Sequence, residues 1–495
     1  MLTTRFRSSF GAGIRLAPRT AIAGAVALAL GMAAGPAALA QSTPPGAQAS
    51  PNTPAIQAGP LTITLGGFTE LATIYRNRTE YADVGSVPFG QLPYPNVENY
   101  NVSEFRESAR QSRFALLVQG PHMYGLKPEY YMETDFLSAA PTANSRESNS
   151  YNLRMRVFYA SFTTDSDFYM LAGQNWSLAT LYKKGLHARD EDVPATIDAQ
   201  YTAGFNWTRN PQLRVVQTVD KVLSLGLSLE SPQGVTNASN DVTSALASKA
   251  YPANLLYQAA GNAGGLLDNA TNYTIDVAPD VIAKVALDPG YGHYELYGMA
   301  RWFRSAVGTT TYTTTGSAIG AGMYLPIVKD VLTFQASGMY GHGIGRYSSS
   351  QLPDFTLKPD GELSAIKAYS VLFGLYFNPV PAFQVYGYLG RDKASSDHYT
   401  AMIGTAGPFD YGYGSPAYNN SGCYTLGGTC VGNIQTSEEA TLGFWWKYWS
   451  GSLGNLQLGF QLAYNQDTAF TGTGGSPTTN VFEGMVSFRY YPYQK

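Results

Sequence analysis

The chain has 495 residues, of which only 14% are charged, against roughly 25% in an ordinary soluble protein. Aromatic residues reach 13%, with 36 tyrosines, and glycine occurs 52 times. A net charge of −3 gives no reason to expect a nucleic-acid partner, and no long uninterrupted apolar run follows residue 40, which excludes helical membrane spans.

The first segment, "MLTTRFRSSFGAGIRLAPRT", carries Arg5, Arg7, Arg15 and Arg19 and no acid. A short apolar stretch and "PAALAQ" follow, with Ala38 and Ala40 in the small-residue positions of a cleavage site. This is the pattern of a secretory signal at 1–40, and export implies an oxidising setting. Residues 41–60, rich in Pro, Gly and Ser, read as a disordered periplasmic spacer ahead of a barrel over 61–495.

Beyond 60 the dominant signal is period two. In "GLKPEYYMETDF" the residues Leu126, Tyr130, Met132 and Phe136 oppose Lys127, Glu129, Tyr131, Glu133 and Asp135. In "KVLSLGLSLESP" Leu223, Leu225, Leu227 and Leu229 alternate with serine and glycine. "TLGFWWKYW" sets Leu442, Phe444, Trp446 and Tyr448 against Trp445, Lys447 and Trp449, and "NLQLGFQLAYN" alternates the same way. Such strands are long enough to cross a membrane when tilted, with the oily face toward lipid and the polar face toward a lumen.

Connections alternate as well. Short turns fall at 121–124, 164–167, 208–211, 287–291, 326–329, 378–381 and 450–453. Longer connections fall at about 76–110, 137–150, 177–200, 231–272, 305–314, 344–364, 393–436 and 466–479. Short on one rim and long on the other predicts an all-β, antiparallel outer-membrane barrel of 16 strands, both ends periplasmic. This count treats 212–230 as one strand; a turn at "TVDK" (218–221) would allow 18. The aromatic C-terminal strand, with Phe482, Phe488 and Tyr490 outward, resembles the signal read by barrel-insertion machinery.

Strand parity then assigns Arg113, Lys127, Arg154, Arg156, Arg214, Arg301 and Arg489 to the lumen, with Glu295 and Glu483. An arginine facing mid-bilayer would cost about 2–4 kcal/mol, which supports the assignment. Guanidinium groups along a water-filled path attract anions, carboxylates above all; the same arginines could instead pair with Glu129, Glu133 and Asp135 and only stiffen the wall. The third long connection holds Lys183, Lys184, His187 and Arg189 just before Asp190, Glu191, Asp192 and Asp198. It is expected to fold inward as a constriction. Cys423 and Cys430, flanking Gly427-Gly428, predict one disulfide that stiffens an outer hairpin.

Over residues 110–216 the stretches "SRFALLVQG", "EYYMETDF", "YNLRMRVFYASF", "LAGQNWSLATL" with "VPATID", and "TRNPQLRVV" resemble the DcaP-like porins of Gram-negative outer membranes. The resemblance implies a homotrimeric, passive 16-stranded channel favouring dicarboxylates and other small anions. Some such porins carry a periplasmic coiled coil before the barrel, where this chain has only the 41–60 spacer. No cofactor is implied. His122, His187, His293, His342 and His398 form no metal-binding pattern, no Gly-x-Ser-x-Gly elbow occurs, and "GHGIGR" (341–346) precedes no helix. A plugged structural or adhesive barrel and, more distantly, an outer-membrane hydrolase are the alternative readings.

Overall fold

A computed structural model of the chain describes residues 55–85, 87–138, 152–198, 201–236, 251–252, 254–260, 272–402, 407–492 and 494. The signal segment 1–40, the spacer up to 54 and the connection at 139–151 lie outside these residues.

The sheet closes on itself as a barrel of 16 antiparallel strands. The first eight are β1 (Leu61–Arg76), β2 (broken into Glu104–Ser108 and Arg113–Gln119), β3 (Leu126–Ser138), β4 (Asn152–Thr164), β5 (Phe168–Trp176), β6 (Arg209–Val219), β7 (Leu223–Glu230) and β8 (Asn272–Asp276 with Asp280–Leu287). The rest are β9 (His293–Val307), β10 (Thr310–Val328), β11 (Leu332–His342), β12 (Lys367–Val380), β13 (Phe383–Ala394), β14 (Ile434–Gly451), β15 (Gly454–Ala469) and β16 (Thr478–Tyr491). Each pairs with its neighbours in sequence, and β16 returns to β1 with Tyr490 opposite Thr69 and Glu483 opposite Arg76. Closure removes the edges that an open sheet would expose.

The leucine stripe faces outward. Leu225, Leu227 and Leu229 are exposed, while Ser224 and Ser228 between them are buried inside. The oily face therefore points outward and the polar face inward, as the alternation predicts, and the same holds at Phe114, Leu153, Met155, Leu213, Leu296, Phe373 and Phe488.

The strand count agrees with expectation, but one boundary does not. Residues 212–230 are not a single strand: β6 and β7 are joined by a turn at 220–222, with Asp220 at φ 52° and Lys221 at φ 58°. Both central residues of a primed hairpin turn need positive φ. Neither is the glycine or asparagine that usually marks one, which is why the alternation reads straight through. Conversely "TRNP" (208–211) opens β6 instead of turning. Pro211 pairs with Gln174 on β5, and on the β7 side, one residue past the last pair of Gln212 with Glu230, its carbonyl accepts from the Ser231 N–H (2.8 Å). The two errors cancel in the count.

Three further departures have local causes. The expected long connection at 305–314 is a two-residue turn at 308–309, since Val307 pairs with Thr310. Residues 55–58, expected in the disordered spacer, form a short strand on the foot of β1 (Ala55 opposite Thr64). In β4 a bulge at Arg156 places Arg156 and Val157 both inside, so Val157 and Tyr159 line the lumen and Phe158 faces out. A bulge inserts one unpaired residue and so reverses the parity beyond it. A similar slip between Lys447 and Trp449 turns Trp449 outward to a rim shared with Tyr448, Leu453 and Tyr490.

Candidate pore-lining site

The turns gather at one rim and the long loops at the other. Between them β3 and β4 stack lumen-facing residues as rungs: Glu129 opposite Ser161 nearest the turns, then Tyr131 opposite Tyr159, Glu133 opposite Val157, and Asp135 opposite Arg154. The expected arginine wall is here, but it is paired. Arg156 meets Glu133 at 2.6 Å and Asp135 at 2.8 Å, Arg154 meets Asp135 at 2.8 Å, and Arg113 lies 3.6 Å from Glu133. Proximity to arginines satisfies two carboxylates that would otherwise be costly to bury.

The remaining predicted cations are scattered rather than gathered. Arg214, fully buried, donates to Gln212 (3.0 Å), the Trp176 carbonyl (2.5 Å) and the Tyr182 hydroxyl. Arg301 is clamped between Asp280 (3.1 Å) and Asp354 (2.8 Å), tying β9 to the loop at 343–366. Arg489 pairs with Glu70 at 3.1 Å and lies over the rings of Phe68 and Trp445. Lys127 is exposed near the turn rim and makes no ion pair with a described carboxylate.

The third long connection runs from 177 to 208 and spans the inside of the barrel. From Leu178, whose N–H reaches Glu230 on β7 (2.8 Å), it passes Glu295 on β9 (Tyr182 N–H, 3.0 Å) and Asp288 (Gly185 N–H, 3.0 Å). It then reaches the far wall, where Ala195 donates to Tyr388 (2.9 Å) and Ile197 to Gln461 (2.6 Å), and Trp445 donates to the Ala195 carbonyl (2.7 Å). Its last residues press flat on β12 and β13: a Cβ on Gly204, at φ +81°, would sit 2.0 Å from the Val371 carbonyl oxygen. Only glycine tolerates both that φ and that approach.

Within this loop Lys183 lies 4.0 Å from Asp192 and Lys184 3.5 Å from Asp190, whereas Arg189 turns to Glu129 on β3 (2.7 Å). Glu191 accepts from Asn175 (2.8 Å) and from the Arg189 N–H (2.7 Å). Burial pushes the Asp192 carboxyl up to about 6, even with Lys183 beside it, and Asp198 up to about 7. Burial also lowers the Lys183 ammonium and takes His187, stacked on Tyr169, down to about 4, so that the imidazole is neutral at neutral pH. Cys423 and Cys430 form a disulfide in the loop at 395–433, whose Gly427 donates to the Asn96 carbonyl of the first loop (2.9 Å).

Two cavities flank the loop. One of about 660 Å³ opens toward the turns and is lined by Lys127, Glu129, Lys184, His187 and Arg189. The other, of about 760 Å³, lies among the long loops, between Gln91, Tyr94, Tyr201, Trp207 and Ser349. Just below Trp207 sits Arg209, which the sequence reading missed. Its guanidinium lies 4.8 Å from the Trp207 ring centre and 4.9 Å from that of Trp176, with Arg154 on the same Trp207 ring at 6.0 Å. It is within electrostatic reach of Arg154, Arg156, Glu133 and Asp135, yet pairs with no described carboxylate. As an odd residue of β6 inside a supposed turn, it was invisible to parity; the only cue was a tryptophan two residues before it. The cluster thus sets four guanidinium groups (Arg113, Arg154, Arg156, Arg209) against two carboxylates (Glu133, Asp135). Among the described residues no group of three or more His, Cys, Asp or Glu is arranged to hold a metal ion.

No protein-family model and no curated protein matches the sequence. Solved structures do match the fold. The outer membrane channel DcaP of Acinetobacter baumannii superposes with a TM-score of 0.58 at 16% identity, over 87% of this chain and 97% of that one. The fold is that of the DcaP channel. The residue-level resemblance over 110–216 and the whole-barrel match therefore point the same way. More distant similarities are to an anion-selective porin from Comamonas acidovorans (TM-score 0.44, 11% identity, 87% of this chain and 99% of that one) and to OmpT of Vibrio cholerae (TM-score 0.45, 9% identity, 88% and 100%).

Proposed function

We propose that this chain is a porin of the Gram-negative outer membrane, exported by a cleaved signal at 1–40, through which small hydrophilic solutes diffuse down their gradient. The turn rim is then periplasmic and the long loops face outward. Inserted by the barrel machinery, it works as a homotrimer without a cofactor and without catalysis. The loop at 177–208 is its constriction, with Lys183, Lys184, Arg189, Asp190, Glu191 and Asp192 at the narrows.

The observation that carries the preference for anions is the charge surplus around Arg209. Paired arginines offer a passing anion little, because their field is cancelled locally; Arg209 pairs with no described carboxylate and stacks on Trp207, which lines the outer cavity. A guanidinium edge presents a fork that matches a carboxylate, and low-dielectric walls strengthen its pull. Small carboxylates, dicarboxylates among them, are the solute class that this chemistry favours.

Reconstitution of the full barrel in planar bilayers tests the reading. Single-channel steps are expected, with a reversal potential on the anion side in a salt gradient. Absence of any current would favour the second reading, a plugged structural barrel, for which the dense packing of 177–198 against both walls is the specific support.

A further inference from the structure

We propose that Arg189 and Glu129 form a latch across the lumen, opened when a solute oxyanion takes the place of Glu129 on Arg189. The proposal rests on the porin reading and gives that path its gate. The lower cavity ends at the Glu129–Ser161 rung, and the next rung is Tyr131 with Tyr159, both almost fully buried. Arg189 crosses to this rung from the loop. Its Nη2 donates to both Glu129 oxygens (2.8 and 2.7 Å), its Nε to the Tyr159 hydroxyl (3.3 Å), and its guanidinium carbon lies 5.6 Å from the Tyr131 ring centre. One side chain therefore holds the loop, the carboxylate and both tyrosines at the level where the open space stops.

Two independent features separate this pair from the other ion pairs of the wall. The first is access. The side chains of Arg189 and Glu129 are both accessible, at 25% and 18%, against 1% and 9% for Arg156 and Glu133 and 23% and 0% for Arg154 and Asp135. Water and solutes in the lower cavity reach the former and not the latter. Lys127, which pairs with no described carboxylate, lines the same cavity, with Lys184 largely exposed beside Asp190 (3.5 Å), so the rim of the cavity draws anions toward the exchange. The second is backbone strain. Arg189 has φ +73°, the left-handed region that a non-glycine residue adopts only where its surroundings impose it. The imposing contacts are the Arg189 N–H to Glu191 (2.7 Å) and the side-chain bonds to Glu129.

An incoming carboxylate or phosphate offers Arg189 the same two acceptor oxygens as Glu129, so the arginine stays paired, while the released Glu129, 18% exposed to the cavity, keeps the Tyr159 hydroxyl (3.3 Å) and the Gln119 amide (3.4 Å) as donors. A neutral solute offers no such exchange and meets a closed rung. Inward carboxylates usually oppose anion passage; here one serves as a stand-in for the solute.

The test uses the full-length barrel in bilayers, bathed in potassium phosphate, potassium acetate or potassium chloride, with liposome swelling in glucose as the neutral arm. Glu129→Gln removes the competing charge, Arg189→Gly removes the latch while keeping the positive φ, and Glu129→Arg with Arg189→Glu rebuilds the pair reversed. The single variants should conduct about twofold or more above wild type and admit glucose faster, whereas the reversed pair should fall back toward wild type. In the wild type, phosphate and acetate should carry more current than their mobilities predict relative to chloride, an excess lost in Glu129→Gln. Heat-dependent gel mobility reports that each barrel is folded. A conducting wild type with unchanged single variants would overturn the latch and leave the porin reading standing. Silence from every folded chain would overturn both, and a silent wild type beside a conducting Glu129→Gln would make the latch a complete seal.

Discussion

On the β2–β6 side of the barrel Glu133 and Asp135 meet arginines, whereas on the β13–β15 side Asp392, Glu439 and Asp467 meet backbone N–H groups. Asp392 accepts from Gly204 (3.1 Å) and Ser350 (3.4 Å), Glu439 from Ala203 (2.8 Å), and Asp467 from Leu92 (3.3 Å). None of these three makes an ion pair among the described residues. Both walls bury inward-facing acids of the same parity. One uses them to neutralise a cationic path, the other to fasten loops, and the difference lies wholly in what each acid touches. Facing the lumen is thus a different property from lining the path.

The largest contrast should come from removing a partner. Arg156→Ala leaves Glu133 with only the looser Arg113 contact (3.6 Å) and Asp135 with Arg154 alone, and should cost about 3 kcal/mol, read as an earlier denaturant midpoint, because buried charge is left under-compensated. Arg209→Ala removes equal charge with no carboxylate to orphan. It should leave that midpoint in place while the anion-to-cation permeability ratio falls several-fold. Equal effects from the two would erase the distinction between paired and surplus cations.

On the other wall, Asp392→Ala with Glu439→Ala strands the N–H groups of Gly204, Ser350 and Ala203. Each should cost about 1–3 kcal/mol locally. Hydrogen exchange in 201–208 and 345–352 should accelerate while the strands stay protected. Unchanged exchange there would mean that these acids are not fasteners.

A smaller effect concerns pH. The Asp192 carboxyl, raised by burial from 3.8 to about 6, accepts from Tyr376 (3.3 Å) beside Lys183. A raised acid favours the docked loop in full below 3.8 and loses that contribution as pH rises through about 6. Acidification from neutral pH should therefore tighten the loop and lower conductance, and Asp192→Asn should flatten this part of the profile. A profile unaltered by the substitution would assign the pH response elsewhere.

The smallest effect belongs to the disulfide. Replacing Cys423 and Cys430 by serine should release about 2–3 kcal/mol locally in the loop-closure view. Chymotrypsin should then cut faster after Tyr424 or Leu426, both exposed within the bridged loop, while heat-dependent gel mobility stays as in wild type, because the ladder closes without the bridge.

Alternation is a property of each strand alone, since successive Cβ atoms point to opposite faces. For that reason the sequence by itself determined the barrel, its 16 strands and the lipid-facing leucines, and it picked out Arg113, Arg154, Arg156, Arg214, Arg301 and Arg489 as inward. What it could not carry was anything depending on a partner distant in the chain. The turn at Asp220-Lys221 holds positive φ without glycine because β6 and β7 enforce it, and the bulge at Arg156 exists only against Glu133 on β3. The same holds for function. Whether an arginine of this cluster is cancelled, as Arg156 is, or left in surplus, as Arg209 is, depends on acids contributed by other strands. The loop at 177–208 crosses the lumen because strands on both walls, among them β3, β7, β9, β13, β14 and β15, offer it acceptors and donors. Period two reports direction; only the closed barrel decides company.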